Sequence, residues 1–128
     1  MAMQPASAGR PELLCERSGC AKILVAEDPI VSTFLRAVLQ RHGHEVVTGE
    51  YPEARELVRR GDARNHVVIT NRPDVFLPFA ETLPVLYIAA NPDPALALQF
   101  PICRVLRKPF RNGDLLEAVE DLARRVVS

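Results

Sequence analysis

The stretch that decides the fold is KILVAEDP, residues 22–29. An apolar run in it ends at Glu27 and Asp28, which is typical of a strand buried on both faces and reaching the surface at its carboxyl end. Pro29 follows directly, and proline suits the first turn of a helix because its missing N–H would have no partner there. The stretch therefore predicts a buried strand followed at once by a helix, the repeating unit of α/β proteins.

The same alternation repeats along the chain. Further apolar runs are HEVVT (44–48), HVVIT (66–70), PVLYIAA (84–90) and ICRVL (102–106). Apolar residues recur at helical spacing over 29–42, 52–60 and 112–127, and Gly43 and Gly61 end the first two segments. Strands alternating with helices predict an α/β fold, a doubly wound parallel sheet of five strands. The connections 73–83 and 91–101 are short and contain prolines, which predicts shortened third and fourth helices.

One face of the first helix is expected to pack on this sheet. Its apolar residues at helical spacing are Ile30, Val31, Phe34, Leu35, Val38 and Leu39.

Composition and charge exclude several classes of function. The 128 residues carry a formal net charge of zero, and 48% of them are hydrophobic. This is one domain's length without the basic surplus of a nucleic-acid-binding protein. No apolar run approaches the roughly 18 residues of a membrane span, and no secretory signal is visible, so we expect a cytoplasmic protein.

Two further features concern the cysteines and the start of the chain. Cys15, Cys20 and Cys103 are an odd set without histidine partners at zinc-site spacing, so they are expected to be free thiols. Residues 1–20 are rich in proline, alanine, serine and glycine and are predicted to be a flexible leader. The domain then covers residues 21–128.

Polar residues follow the predicted strands at their carboxyl ends, where doubly wound proteins place their functional groups. Glu27 and Asp28 follow the first strand, Asn71 the third and Lys108 the fifth. Adjacent carboxylates suit a hard cation such as Mg²⁺, but they can equally cap the following helix. Asn71 is neutral and a poor nucleophile, and its side-chain oxygen is predicted to accept a hydrogen bond from Lys108.

The predicted strands and the polar residues that follow them, taken in this order, resemble the receiver domain of bacterial two-component response regulators. The resemblance runs from residue 22 to about residue 127 and implies the flavodoxin-like receiver fold. It implies that Glu27 and Asp28 match an acidic pair that helps to bind Mg²⁺. Lys108 and Pro109 match a lysine–proline pair that is typically joined by a cis peptide bond.

Three positions depart from the family pattern. Asn71 stands where the family has its phosphoacceptor aspartate, Ala89 where it has a serine or threonine that contacts the phosphoryl group, and Val105 where it often has an aromatic switch residue. A phosphoacceptor must be an anionic nucleophile, and an amide is not one. The resemblance therefore implies a degenerate receiver, or pseudo-receiver, in phosphorelay signal transduction, with no cofactor beyond weak Mg²⁺ at Glu27 and Asp28.

The leading hypothesis is a non-enzymatic domain that acts by phosphorylation-independent contact with signalling proteins, either a sensor kinase or an output partner. The family's usual contact surface corresponds to residues 91–127 and could also join two copies. A second hypothesis is residual phosphotransfer through Glu27 or Asp28. A third, from another class, is an enzyme or small-ligand binder on the same sheet, although no glycine-rich phosphate loop supports it. Nucleic acid and membrane are not expected partners.

Overall fold

The computed structural model describes residues 21–64 and 66–127, and the predicted leader and Cys15 and Cys20 lie outside them. Its centre is one sheet of five parallel strands in the order β2-β1-β3-β4-β5. The order places the first strand in the interior, as in flavodoxin-like proteins. The strands are β1 (Lys22–Ala26), β2 (Glu45–Thr48), β3 (Val67–Thr70), β4 (Val85–Ala89) and β5 (Cys103–Arg107).

Helices connect the strands on both sides of the sheet. They are α1 (Pro29–Arg41), α2 (Tyr51–Arg59), a 3₁₀ helix (Pro73–Phe79), α3 (Pro94–Ala97) and α4 (Asn112–Val127). The predicted shortening is confirmed, because the third connection holds only the 3₁₀ helix and the fourth only a four-residue helix. Pro78 lies inside the 3₁₀ helix and contributes no backbone N–H to it.

Apolar side chains form a layer on each face of the sheet. On one face Leu35 and Leu39 of α1 and Leu115 and Leu122 of α4 pack on the buried strands. On the other face Phe76 of the 3₁₀ helix and Ala54 of α2 pack against the sheet. Strands β1, β3 and β4 are thus covered from both sides, which explains their nearly continuous apolar sequences.

The apolar face predicted for α1 is wrong at two positions. Ile30 is 84% exposed and Phe34 46% exposed, whereas Leu35, Val38 and Leu39 are buried. At 3.6 residues per turn Ile30 and Phe34 lie roughly 140° and 100° around the helix from Leu35. They fall outside the stripe that contacts the sheet, so the apolar stripe predicted from the sequence was too wide.

Candidate functional site

Glu27 follows β1 directly and is the most unusual polar residue of the rim. Its side chain has no exposed surface, and neither carboxylate oxygen has a hydrogen-bond partner. The nearest cation is Lys108, whose Nζ lies 4.0 Å from Oε1. Burial raises the pKa of Glu27 to about 7; the charge of Lys108 lowers it, the charge of Asp28 raises it, and the nearby backbone N–H of Asp28 lowers it. Burying a carboxylate without a partner costs free energy, and binding a proton or a cation at Glu27 would lower that cost.

Asp28, its neighbour, does different work. It is exposed and is the N-cap of α1, where its Oδ1 accepts a hydrogen bond from the N–H of Val31 at 3.1 Å. The helix-capping alternative is therefore correct for Asp28. No group of three or more histidine, cysteine or acidic side chains able to hold a metal occurs within residues 21–64 and 66–127. Weak Mg²⁺ binding at Glu27 and Asp28 stays a prediction.

Asn71 stands at the end of β3, as predicted, but its partner is not the predicted one. Its Oδ1 accepts a hydrogen bond from the hydroxyl of Tyr51 at 2.5 Å. The predicted bond from Lys108 is wrong, because the ammonium group of Lys108 faces Glu27. The amide oxygen is thus occupied by a residue that sequence reasoning did not select.

Tyr51 and Arg72 form a small cluster around Asn71. The guanidinium carbon of Arg72 lies 5.6 Å from the centre of the Tyr51 ring, within cation–π range. Arg72 also forms an ion pair with Asp74 at 3.0 Å. Burial and the nearby charge of Glu27 raise the pKa of Tyr51, so its hydroxyl stays protonated and can donate to Asn71. The available signal was the position of Tyr51, which comes soon after β2 and so had to lie on the same rim.

The strand order shows what the Tyr51–Asn71 bond covers. Tyr51 follows β2 and Asn71 follows β3, and β1 lies between these two strands. A hydrogen bond between residues beyond the outer two strands must pass across the carboxyl end of the middle one. That end is followed by Glu27, so the Tyr51 hydroxyl lies beyond the end of β1, near the buried carboxylate.

The remaining positions of the resemblance lie on the opposite side of Glu27. Ala89 ends β4, and its carbonyl accepts the backbone N–H of Lys108 at 2.9 Å. The bond between Lys108 and Pro109 is cis, as the resemblance implied. Val105 points from the edge strand β5 and is 44% exposed. The rim therefore brings together Glu27, Asp28, Asn71 and Lys108, whereas Ala89 and Val105 add no polar side chain to it.

The surface of residues 91–127 carries a charge network. Arg104 on β5 donates to Glu117 at 2.8 Å and to Asp121 at 3.1 Å, both on α4. Asp121 also forms ion pairs with Arg124 and Arg125 of its own helix. Charged side chains of α4 are therefore largely paired within the chain.

Solved structures share this doubly wound α/β architecture. A response regulator receiver protein from Sinorhizobium medicae has a TM-score of 0.68 over 84% of this chain and 97% of its own, at 23% identity. A putative response regulator from Chloroflexus aurantiacus gives 0.64 over 83% and 99%, at 19% identity. The Vibrio cholerae chemotaxis protein CheY4 gives 0.62 over 80% and 98%, also at 19% identity.

These similarities show that the chain has the fold of response regulator receiver domains, as the sequence predicted. No protein-family model matches the sequence, and neither does any curated protein. In the part of the chain that the structure describes, none of the helices is both long and apolar enough to span a membrane.

Proposed function

We propose that this protein is a receiver domain of phosphorelay signal transduction that works without aspartyl phosphorylation, through contact with other signalling proteins. The proposal is supported by the receiver fold and by the residue at the end of β3. That residue is Asn71, whose amide oxygen accepts the hydroxyl of Tyr51. An amide offers no anionic oxygen for attack on a phosphoryl group, and this one is already in use.

Two other side chains favour the same function. Ala89 presents a methyl group where a hydroxyl would be needed to follow a phosphoryl group. Val105 is exposed on β5 and has no ring that could move between a buried and an exposed position. With these three residues the rim lacks the nucleophile, the hydroxyl and the aromatic switch together.

The surface of residues 91–127 is the proposed contact region for a kinase, an output partner or a second copy. Leu98 beyond α3 is 83% exposed and Val105 is 44% exposed, so the surface offers apolar area beside the network of Arg104. Because Arg104 is paired within the chain, apolar contact is expected to contribute more to binding there than new ion pairs.

Phosphotransfer through Glu27 or Asp28 is less favoured. The Glu27 carboxylate has no exposed surface from which to meet a phosphodonor, and Asp28 is held as the cap of α1. An enzymatic role lacks a supporting observation, and receiver domains in general are signalling domains.

The decisive experiment adds beryllofluoride or acetyl phosphate with Mg²⁺ and follows the backbone amides by NMR, with intact mass as a second measurement. We expect no added phosphoryl mass and no shifts concentrated at Glu27, Asp28 and Lys108. Asn71→Asp is the matched variant, and Gln40→Glu, which makes the same amide-to-acid change at an exposed position near the carboxyl end of α1, is its control. Partner capture is expected to be equal for wild type and Asn71→Asp. A phosphoryl-dependent change in wild-type capture would contradict the proposal.

A further inference from the structure

A cleft of about 600 Å³ opens between the amino-terminal ends of α1 and α2. Its volume lies within the range of small-molecule sites in proteins. The charged and aromatic residues of its lining are Glu27, Asp28, Arg36, Glu50, Tyr51 and Glu53. The lining of the cleft includes no residue of the proposed contact surface of residues 91–127.

The charges along the cleft are mostly negative. Four acids and one arginine belong to its described lining, which gives a formal charge of −3. Asp28 and Glu53 each use one oxygen on a backbone N–H, of Val31 and of Glu50 respectively. Helix capping thus explains these carboxylates, and acids at helix ends alone would not indicate a ligand.

Glu27 is different, because it caps no helix, neither of its oxygens has a hydrogen-bond partner, and its ion pair with Lys108 is long, at 4.0 Å. Both its oxygens are buried and without a partner. Lys108 approaches Glu27 to 4.0 Å and follows β5, whereas the cleft lies toward β2 on the other side of β1. A cation arriving through the cleft would therefore meet Glu27 from the side that Lys108 does not occupy.

Tyr51 stands between the cleft and this carboxylate. It lines the cleft, and its hydroxyl reaches Asn71 across the end of β1. In the structure the Glu27 side chain is fully buried. The Tyr51 ring is held by this hydrogen bond, by the guanidinium of Arg72 and by packing on the apolar layer beneath α2. Loss of the hydrogen bond removes one of these contacts and favours movement of the ring away from the carboxylate.

We propose that the cleft between α1 and α2 binds the guanidinium or ammonium group of an organic cation, which pairs with Glu27 when Tyr51 moves away from Asn71. A guanidinium group donates two parallel hydrogen bonds, and Glu27 has two oxygens free to accept them. The group can belong to a free amine or to an arginine or lysine side chain of a partner protein. In the second case the inference rests on the proposed function; in the first it is independent of it.

The test uses n-butylguanidinium as the probe, with n-butylurea as a neutral molecule of the same shape. Amide NMR of the full chain would follow Glu27, Asp28, Tyr51 and Glu53 during each titration. We expect saturable shifts with the cation, and at least about tenfold weaker binding of the urea. A short capped peptide with one arginine, compared with its citrulline form, shows whether a protein side chain can enter as well.

Two variants separate the carboxylate from the lid. Glu27→Gln is expected to weaken binding at least about tenfold, whereas Glu81→Gln, an exposed acid far from the cleft, should leave it unchanged. Tyr51→Phe keeps the ring but loses the bond to Asn71, so binding is expected to tighten about fivefold because less energy holds the lid shut.

Three results would overturn the proposal. They are equal binding of the urea and the cation, unchanged binding in Glu27→Gln, or shifts at Glu27 that only Mg²⁺ produces. If butylguanidinium binds and the arginine peptide does not, the site is assigned to a free amine. None of these titrations contains a phosphodonor, so their failure would leave the proposed signalling function standing.

Discussion

Replacing Glu27 by glutamine should stabilise the protein at alkaline pH and leave it unchanged at acidic pH. Glutamine has the size of the protonated acid but no charge. Burial raises the pKa of Glu27 from 4.5 to about 7 in the folded protein, while the unfolded chain keeps the ordinary value. Between these two values the folded state holds a proton that the unfolded state has released. The contribution of Glu27 to folding stability is therefore fully present below about pH 4.5 and is lost as the pH rises through about 7.

The expected magnitude follows from the same shift. A difference of about 2.5 pKa units corresponds to about 3 kcal/mol at about 1.4 kcal/mol per unit. Glu27→Gln should therefore exceed the wild type by about 3 kcal/mol in free energy of unfolding above about pH 8, and by nothing at about pH 4.5. Because the Lys108 side chain is partly exposed, it loses little when its weakly placed partner becomes neutral.

Urea denaturation monitored by circular dichroism at a series of pH values measures this difference directly. The comparison of variant with wild type cancels the titration of all other groups, including His44. Glu81→Gln serves as the control, since it removes an exposed acid. A constant difference between Glu27→Gln and wild type across the pH range, or a variant less stable at about pH 8, would refute the reasoning.

Three further predictions concern other parts of the fold. The Nδ1 atom of His44 accepts a hydrogen bond from the backbone N–H of Ala21 at 2.8 Å, and burial lowers the pKa of the imidazole. The contribution of His44 to folding stability should therefore be lost as the pH falls below about 6.5. His44→Asn, which keeps an acceptor, should flatten that part of the pH–stability curve. Leu35→Ala should cost about 2–5 kcal/mol in free energy of unfolding, whereas Phe34→Ala on the exposed side should cost less than about 1 kcal/mol; equal losses in urea denaturation would contradict the exposed position of Phe34. Gly43 follows α1 at φ +88°, and a Cβ added there would meet no other atom within 4 Å. Gly43→Ala should therefore cost about 1 kcal/mol through backbone strain, measurable as a lower thermal midpoint without any change in the near-ultraviolet spectrum.

The fold could be predicted from the sequence because its signals are local. An apolar run ending in polar residues marks each buried strand, and Pro29 and Gly43 mark the two ends of α1. The position of Asn71 on the rim followed from the same rule, since the carboxyl ends of parallel strands share one edge. The width of the apolar stripe on α1 could not be predicted as well, because Ile30 and Phe34 are apolar without facing the sheet.

The contacts within the site were harder to predict than the positions. Lys108 and Tyr51 are both within reach of the rim, and the sequence does not say which of them meets Asn71. The strand order does not decide it either: Lys108 enters from β5 past the end of β3, which Asn71 follows, and still pairs with Glu27 beyond β1. Tyr51 reaches Asn71 from the other side, across the end of β1.

The neutral residue at position 71 and its hydrogen bond with Tyr51 explain each other. An aspartate there would add a negative charge to the rim that carries Glu27, a carboxylate whose pKa burial raises to about 7 and whose nearest cation among the described residues is Lys108. A nearby like charge disfavours the ionised form of a carboxylate, and a cation between the two carboxylates offsets that cost. An asparagine adds no charge, and its oxygen gives the Tyr51 hydroxyl a partner. The rim can then close over Glu27 with a side chain of the protein itself, at the place where a receiver with an aspartate would need a metal ion to hold its carboxylates together.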